Sequence, residues 1–377
     1  MRPLSVVMVS AGFWPAVGGA ERQALELSAA LAARGHRVTV LTRRVGGLAS
    51  RETYRGVDIR RLPVWGRGAF DASFFLLGAF AWLLGHWIEW DAVHAHLAGS
   101  PALTAALAGR LLGRPALVKL GGGRGIGELA ISSRTALGRA KLRALGALRP
   151  RFLAVVPDLA EEGREFLGSA DIEVLPNGVD DARYRPVGEG RRRALRETFG
   201  WEQDAVVFLY TGRFSPEKRL PWFLRSWLGA SGENSIAVLV GDGPERAALQ
   251  AAADASFGRI RLMASRDDLE GAYAAADAFF LPSTSEGLSN ALLEAMSSGL
   301  APLASRVGGT AETVEDGVTG LLFGRDDEEG LKRAARRLAT EKGLAARLGA
   351  AARARVEEHY ALARVVDRIE TLYRGGA

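Results

Sequence analysis

The sequence predicts an α/β protein of two doubly wound domains facing each other across a cleft. Three observations predict this. Short apolar β-rich runs alternate with helical runs almost throughout, which means parallel sheets covered on both faces. The alternation runs through the first half and then restarts. A chain of 377 residues is too long for one typical domain and about right for two.

In the first half the strands read Leu4–Ser10, His36–Leu41, Val57–Leu62, Asp91–Ala95, Ala116–Lys119, Phe152–Val156 and Ile172–Leu175. Helices fill the gaps, among them Ala20–Ala33, Pro101–Leu112 and Leu159–Leu167. After a junction near Val179–Arg196, strands recur at Ala205–Thr211, Ile236–Val240, Ile260–Met263, Ala278–Leu281, Ala301–Ala304 and Gly320–Phe323. Helices Glu328–Leu338, Leu344–Glu358 and Leu362–Tyr373 close the chain. The expected division is a Rossmann-like domain over 1–180 and a second over 181–359, with the final helix, about 360–377, returning to the first. Ligands of such sheets bind at the carboxyl ends of the strands, so the expected site is the cleft.

Composition narrows the chemistry. Apolar residues make up 48% and charged residues 24%, enough material for two buried cores. There is no cysteine, hence no disulfide, thiolate nucleophile or cysteine metal site. The five histidines lack a metal-ligand spacing and no Asp-x-Asp pair occurs, so no metal and no cofactor is expected.

The apolar start of the chain is too short for a secretory signal and reads as the first strand. Ala72–Ile88 is the one membrane suspect. It falls short of about 20 clean apolar residues, carries Gly78, Gly85 and His86, and sits where a crossover helix is needed. A soluble crossover helix, with or without lipid contact, is therefore preferred over one that spans the membrane.

Net charge is +6 and uneven: residues 1–186 carry 24 Lys/Arg against 16 Asp/Glu. The densest basic piece, Arg134 to Arg151, sets Leu137, Leu142, Leu145 and Leu148 along one helical face. It reads either as a helix for an acidic membrane surface or as a solvated helix on its own sheet. The expected location is cytoplasmic, with peripheral contact at the membrane.

The strongest local signal is Pro282 to Met296. It places Glu286 in the loop after an apolar strand and Glu294 eight positions on, inside the following helix. The N–H groups of Ser289, Asn290, Ala291 and Leu292 form the positive end of that helix, which Gly299 terminates. An anion cradle flanked by two carboxylates suits a ligand with phosphate in the middle and hydroxyls at both ends. Arg213 and Lys218 bracket a proline turn after another strand and can neutralise a diphosphate.

Gly241-Asp242-Gly243-Pro244 reads as a tight turn with Pro244 as the first helical residue, structural or ligand-binding with equal weight. Gly18 and Gly19 open the first helix and let the backbone approach a phosphate or sugar. His96 ends a strand near the cleft. Lys119 begins a glycine-rich loop that also carries Arg124, a candidate acceptor or phosphate grip. A lone histidine such as His96 is more often a core or surface filler.

Together these motifs resemble the retaining glycosyltransferases of family 4, which have the GT-B fold. The resemblance runs through Gly18 to Glu21, His94 to His96, Leu175 to Asp180, Gly212 to Lys218, Gly241 to Pro244, Glu286 to Glu294 and Gly308 to Glu312. It implies a UDP- or GDP-sugar as co-substrate, with Arg213 and Lys218 on its diphosphate. Glu286 would meet the transferred sugar and Glu294 the ribose. Gly241, Met263, Gly287 and Leu288 join the donor-binding set, and Asn290 to Leu292 complete the phosphate site. His96, Lys119 and Arg124 are the acceptor-side candidates. Attack on the leaving-group face, with a phosphate oxygen taking the proton, would retain configuration without a metal.

Two departures stand out: many members have a histidine where this chain reads Lys119-Leu120-Gly121, and serine where it has Pro157. The leading reading is a hexosyltransferase in polysaccharide, glycolipid or cell-envelope glycan synthesis, with a glycan, lipid-linked or small-molecule acceptor. The missing histidine motivates the alternative, a weakly active nucleotide-sugar-binding relative that regulates another transferase. A nicotinamide oxidoreductase lacks its fingerprint glycines. Nucleic-acid binding has only the basic first half in its favour.

Overall fold

The computed structural model of the protein describes residues 2–15, 18–65, 69–125, 127–168, 171–266 and 268–376. It forms two compact units, Met1–Gly178 with Leu362–Ala377, and Val179–Ala361.

The first unit holds β1 (Ser5–Val9), β2 (Arg37–Arg43), β3 (Arg51–Tyr54), β4 (Val57–Leu62), β5 (Ala92–His96), β6 (Ala116–Leu120), β7 (Arg151–Ala154) and β8 (Ile172–Val174). Their order is β3-β4-β2-β1-β5-β6-β7-β8, parallel except for β3 against β4. β3 is absent from the sequence reading because Arg-Glu-Thr-Tyr offers no apolar run. It is an edge strand, where charge is tolerated and blunts further pairing.

The core beneath β1 joins Val6, Met8, Leu27, Leu31, Val40 and Ile59 to Val366, Ile369 and Tyr373 of the final helix. That helix, Leu362–Tyr373, thus buries its apolar stripe in the first unit. Gly178 makes room for it, since a Cβ there would lie 2.7 Å from the Leu362 Cα.

The suspected membrane segment forms helix Ala69–Gly85, which buries Phe75, Ala79 and Leu83 and exposes Phe74 and Leu77. Among the described residues no helix is long and apolar enough to cross a membrane. The basic segment forms helix Ala136–Leu148, with Leu142 and Leu145 buried and Leu137 exposed. The solvated-helix reading accounts for its inner face.

The second unit holds β9 (Val206–Thr211), β10 (Ser235–Val240), β11 (Ile260–Met263), β12 (Ala278–Leu281), β13 (Ala301–Ser305) and β14 (Leu321–Phe323). All are parallel, in the order β11-β10-β9-β12-β13-β14. The winding reverses between β9 and β12, so the loops leaving these two strands lie side by side. In open α/β sheets this is where ligands bind.

Candidate active site

The loop after β9 carries Arg213 and Lys218, and the loop after β12 carries Glu286. They are 68 or more positions apart in sequence, yet Lys218 Nζ donates to Glu286 Oε1 at 2.5 Å. Ser283 Oγ donates to the same oxygen. Oε2 makes no hydrogen bond with a described residue, which leaves it available to a ligand hydroxyl.

The backbone fixes this arrangement. Thr284 N–H donates to the Glu217 carbonyl at 2.8 Å, tying the two loops together. The Glu286 carbonyl accepts from Gly309 N–H at 3.2 Å. Gly308 is obligatory there: it has φ +40, and a Cβ would sit 2.2 Å from the Glu286 carbonyl oxygen.

The Gly241–Gly243 turn packs against the backbone of Gly212 and Phe214. Gly241 has φ +157, and a Cβ would meet the Gly212 carbonyl oxygen at 1.9 Å. Phe214 N–H donates to the Asp242 carbonyl at 2.8 Å, so the turn braces the backbone that presents Arg213. Pro244 does not start the helix; the helix spans Arg246–Asp254 with Glu245 as its cap, because Glu245 N–H is drawn to the Phe214 carbonyl. Met263 enters through its carbonyl, which accepts from Gly241 N–H at 3.3 Å.

Gly287 and Leu288 lead from Glu286 to Ser289, the cap of helix Asn290–Ser297. Ser289 Oγ accepts from Leu292 N–H at 3.3 Å, the cap bond of this helix. The helix ends as expected before Gly299, at φ +80. Glu294 is buried and accepts from Tyr273 Oη at 2.9 Å, and Tyr273 Oη also meets Thr211 Oγ1.

Electrostatics here are finely divided. Burial works against ionisation of Glu217, yet the Ser215 hydroxyl and the Lys218 and Arg213 charges hold its carboxyl below the usual range. Burial and the Glu217 charge raise Glu245. The exposed Arg213 guanidinium forms no hydrogen bond or ion pair with a described residue.

In the first unit, Gly18 precedes helix Gly19–Ala33, and its carbonyl accepts from Arg22 N–H. A Cβ on Gly18 would lie 2.3 Å from Glu21 Oε2, the far end of a side chain that can turn aside. Ala16 and Val17 of this turn, and Ile126 of the glycine-rich loop, lie outside the described residues.

His96 does not project from the strand end. Its ring is buried, stacked on His94 at 4.6 Å, with Nε2 3.2 Å from Met8 Sδ. Burial, with the His94 and Lys119 charges, pushes its pKa well below the usual value, so the ring is neutral. Arg124 is not a free grip either: it pairs with Asp158, Glu161 and Glu165 and clamps the glycine-rich loop to helix Pro157–Leu167. Lys119 is buried at the end of β6, and burial pushes its pKa down to about 7. Its ammonium has no hydrogen-bond partner among the described residues.

A scan against family descriptions matches "Glycosyltransferase Family 4" over residues 17–183 and "Glycosyl transferases group 1" over 205–341. The chain is 30% identical over 401 aligned positions to the 2-deoxystreptamine N-acetyl-D-glucosaminyltransferase of Streptomyces fradiae, covering 93% of each chain. It belongs to glycosyltransferase family 4. This transferase is also 25% identical to the N-acetyl-alpha-D-glucosaminyl L-malate synthase of Bacillus anthracis, over 96% of this chain and 94% of that protein. The crystal structure of Anabaena HepE in complex with UDP-glucose superposes with a TM-score of 0.79 at 18% identity, covering 99% and 100% of the two chains. The fold is thus GT-B.

Two residues with functional potential escaped sequence reasoning. Tyr273, which holds Glu294, sits in a short alanine-rich helix, Glu270–Ala275, with nothing to mark it. Glu128, at the start of helix Glu128–Ser133, reads from sequence as an ordinary complement to the helix dipole. Its Oε2 is buried without a partner among the described residues. Burial, with a smaller push from Glu21, raises its pKa from 4.5 to about 7 despite a hydrogen bond from the Ala98 backbone.

The sign of the consequence is definite. Between pH 4.5 and about 7 the folded state keeps a proton that the unfolded state has lost, so stability falls as pH rises through that window. Glu128→Gln is expected to flatten this part of the urea-denaturation pH profile, by up to about 3 kcal/mol at the alkaline end. Parallel profiles for the two proteins would contradict the assignment. Among the described residues, no group of three or more His, Asp or Glu is placed to hold a metal ion.

Proposed function

We propose that this transferase moves a hexosyl group from a UDP- or GDP-sugar to an acceptor hydroxyl with retention of configuration. The observation that carries this reading is the meeting of Lys218 and Glu286 at the switch point of the second sheet. A cation and a carboxylate fixed 2.5 Å apart there can address adjacent parts of one ligand, the diphosphate and the sugar it leaves.

In this reading Arg213 and Lys218 stabilise the charge that develops on the departing diphosphate, a role for which no metal is needed. Glu286 Oε2 accepts from a hydroxyl of the transferred sugar and orients the anomeric carbon. Glu294, held by Tyr273, accepts from the ribose hydroxyls. The N–H groups at the start of helix Asn290–Ser297 add to the phosphate site. The acceptor hydroxyl attacks on the face the diphosphate leaves and passes its proton to a departing phosphate oxygen.

In the first unit we take Lys119 and Glu128 as acceptor-side candidates, because burial displaces the pKa of both. Because both near-full-length relatives carry names for N-acetylglucosaminyl transfer, a nucleoside diphosphate N-acetylhexosamine is the first donor to test. The exposed Phe74 and Leu77 on helix Ala69–Gly85 support peripheral contact with a lipid surface near a cell-envelope acceptor.

The test is a binding series. Arg213→Ala or Lys218→Ala is expected to weaken a nucleoside diphosphate by about 10- to 100-fold, while nucleoside affinity stays within about twofold. Equal loss for both ligands removes the pair from the phosphate site. A thermal-shift screen of nucleoside diphosphate sugars, in which the donor raises the melting temperature, names the base and hexose.

A further inference from the structure

The first unit contains a cavity of about 980 Å³ at the amino-terminal edge of its sheet, where β6 and β7 begin. This is the opposite edge from Lys119 and Glu128. Its volume lies at the upper end of the ~300–1,000 Å³ typical of small-molecule sites. Arg110, Arg114, Arg149 and Arg151 line it, against one acid, Asp171.

Two of these guanidinium groups are uncommitted: those of Arg110 and Arg149 form no hydrogen bond or ion pair with a described residue. Arg114 is steadied over the Trp90 ring at 4.9 Å. Arg151 lies 3.8 Å from Glu173, whose carboxylate is already engaged by Arg368.

Cations at helix carboxyl ends offset the helix dipole, and Arg110 and Arg149 both sit at such ends. That does not explain the backbone of Arg149. It occupies the left-handed region at φ 51, where a glycine is the ordinary residue. The neighbouring helix Ser100–Leu112 ends at the same cavity and does use a glycine, Gly113 at φ 63. A strained non-glycine residue that presents an unpaired guanidinium is retained at some cost to stability.

We propose that this cavity is a second anion site, taking a ligand with a phosphate monoester or diphosphate group that Arg110 and Arg149 grip, with Arg114 and Arg151 flanking. Arginine forks match phosphate oxygens in pairs, and unpaired guanidinium groups spaced round a cavity suit a multiply charged anion better than a carboxylate. The phosphate can belong to a soluble compound or to a lipid headgroup. Leu107 and Leu111, exposed on the helix that carries Arg110, are placed to meet a lipid's acyl region in the second case.

The experiment titrates inorganic pyrophosphate calorimetrically into the full chain carrying Arg213→Ala and Lys218→Ala, so that the proposed donor site does not contribute. Pyrophosphate is expected to bind, and adding Arg110→Ala with Arg149→Gly is expected to weaken it by about tenfold or more. Arg149→Gly alone is expected to unfold at the same or a higher urea concentration, because glycine relieves the backbone while removing the charge. Co-sedimentation with phosphatidylcholine vesicles containing phosphatidate, against phosphatidylcholine alone, separates the sources. Vesicle binding lost with the arginines assigns the phosphate to a lipid; vesicle binding that is absent or unaffected by the arginine replacements assigns it to a soluble ligand. Absent pyrophosphate binding, or binding unchanged by the arginine replacements, overturns the site.

Discussion

Glu286→Ala is expected to lower kcat by about 10²- to 10³-fold while nucleoside diphosphate affinity changes by less than about threefold. The split follows from geometry. Lys218 and Ser283 engage Oε1 of Glu286, and in the proposed function its Oε2 serves the sugar end of the donor, not the diphosphate. The fold should survive, because the loop is held through main-chain bonds from Thr284 to Glu217 and from Gly309 to Glu286. Lys218, left without its partner, is 21% exposed at its side chain and can be hydrated. Glu286→Gln is the control for shape: it keeps the volume and loses the charge. Steady-state kinetics with calorimetric nucleotide binding decide the matter, and unchanged turnover in the alanine variant would refute a sugar contact.

Lys119→Met should stabilise the protein, and most strongly at pH about 7 and below. Burial lowers the folded pKa of Lys119 from 10.5 to about 7. Between these values the unfolded state holds the proton more tightly, so stability rises with pH across the window and the penalty is full below it. That penalty is of order 3–5 kcal/mol as an upper bound. The groups facing it are His94 and His96, and burial with the Lys119 charge pushes His94 down to about 3. Both rings are therefore neutral near pH 7 and offer no compensating charge. Denaturant melts across the pH range are expected to show a gap between variant and parent that closes as pH approaches 10.5. A variant less stable than its parent at pH about 6 would show that Lys119 is satisfied in the fold. A residue retained at such cost, at the carboxyl end of a central strand, also predicts a raised acceptor KM in Lys119→Met with donor binding unaltered.

Much of the second unit was legible in the chain. Apolar runs such as Ala278–Leu281 and Ile236–Val240 mark strands because a strand buried on both faces needs an unbroken apolar stretch. Glu286, Ser289 and Gly299 occupy a loop, a helix cap and a helix stop, and each residue type has a local reason to be there. The first unit was less legible. His96 at a strand end looked outward, but alternation along β5 turned its ring into the core beside Met8. Arg124 in a glycine-rich loop looked free, but three carboxylates on helix Pro157–Leu167 claim it. β3, with charged residues on an edge, had no apolar pattern to reveal it.

Local physics wrote the strands, the caps and the two-unit plan into the amino-acid order, because hydrophobic periodicity and turn chemistry act over a few residues. Tertiary structure alone decided that Lys218 reaches Glu286, that Tyr273 holds Glu294 and that Glu128 and Lys119 are buried with displaced pKa values. Those facts depend on strand order and on burial. Both arise from packing between segments tens of residues apart, which no window of sequence contains.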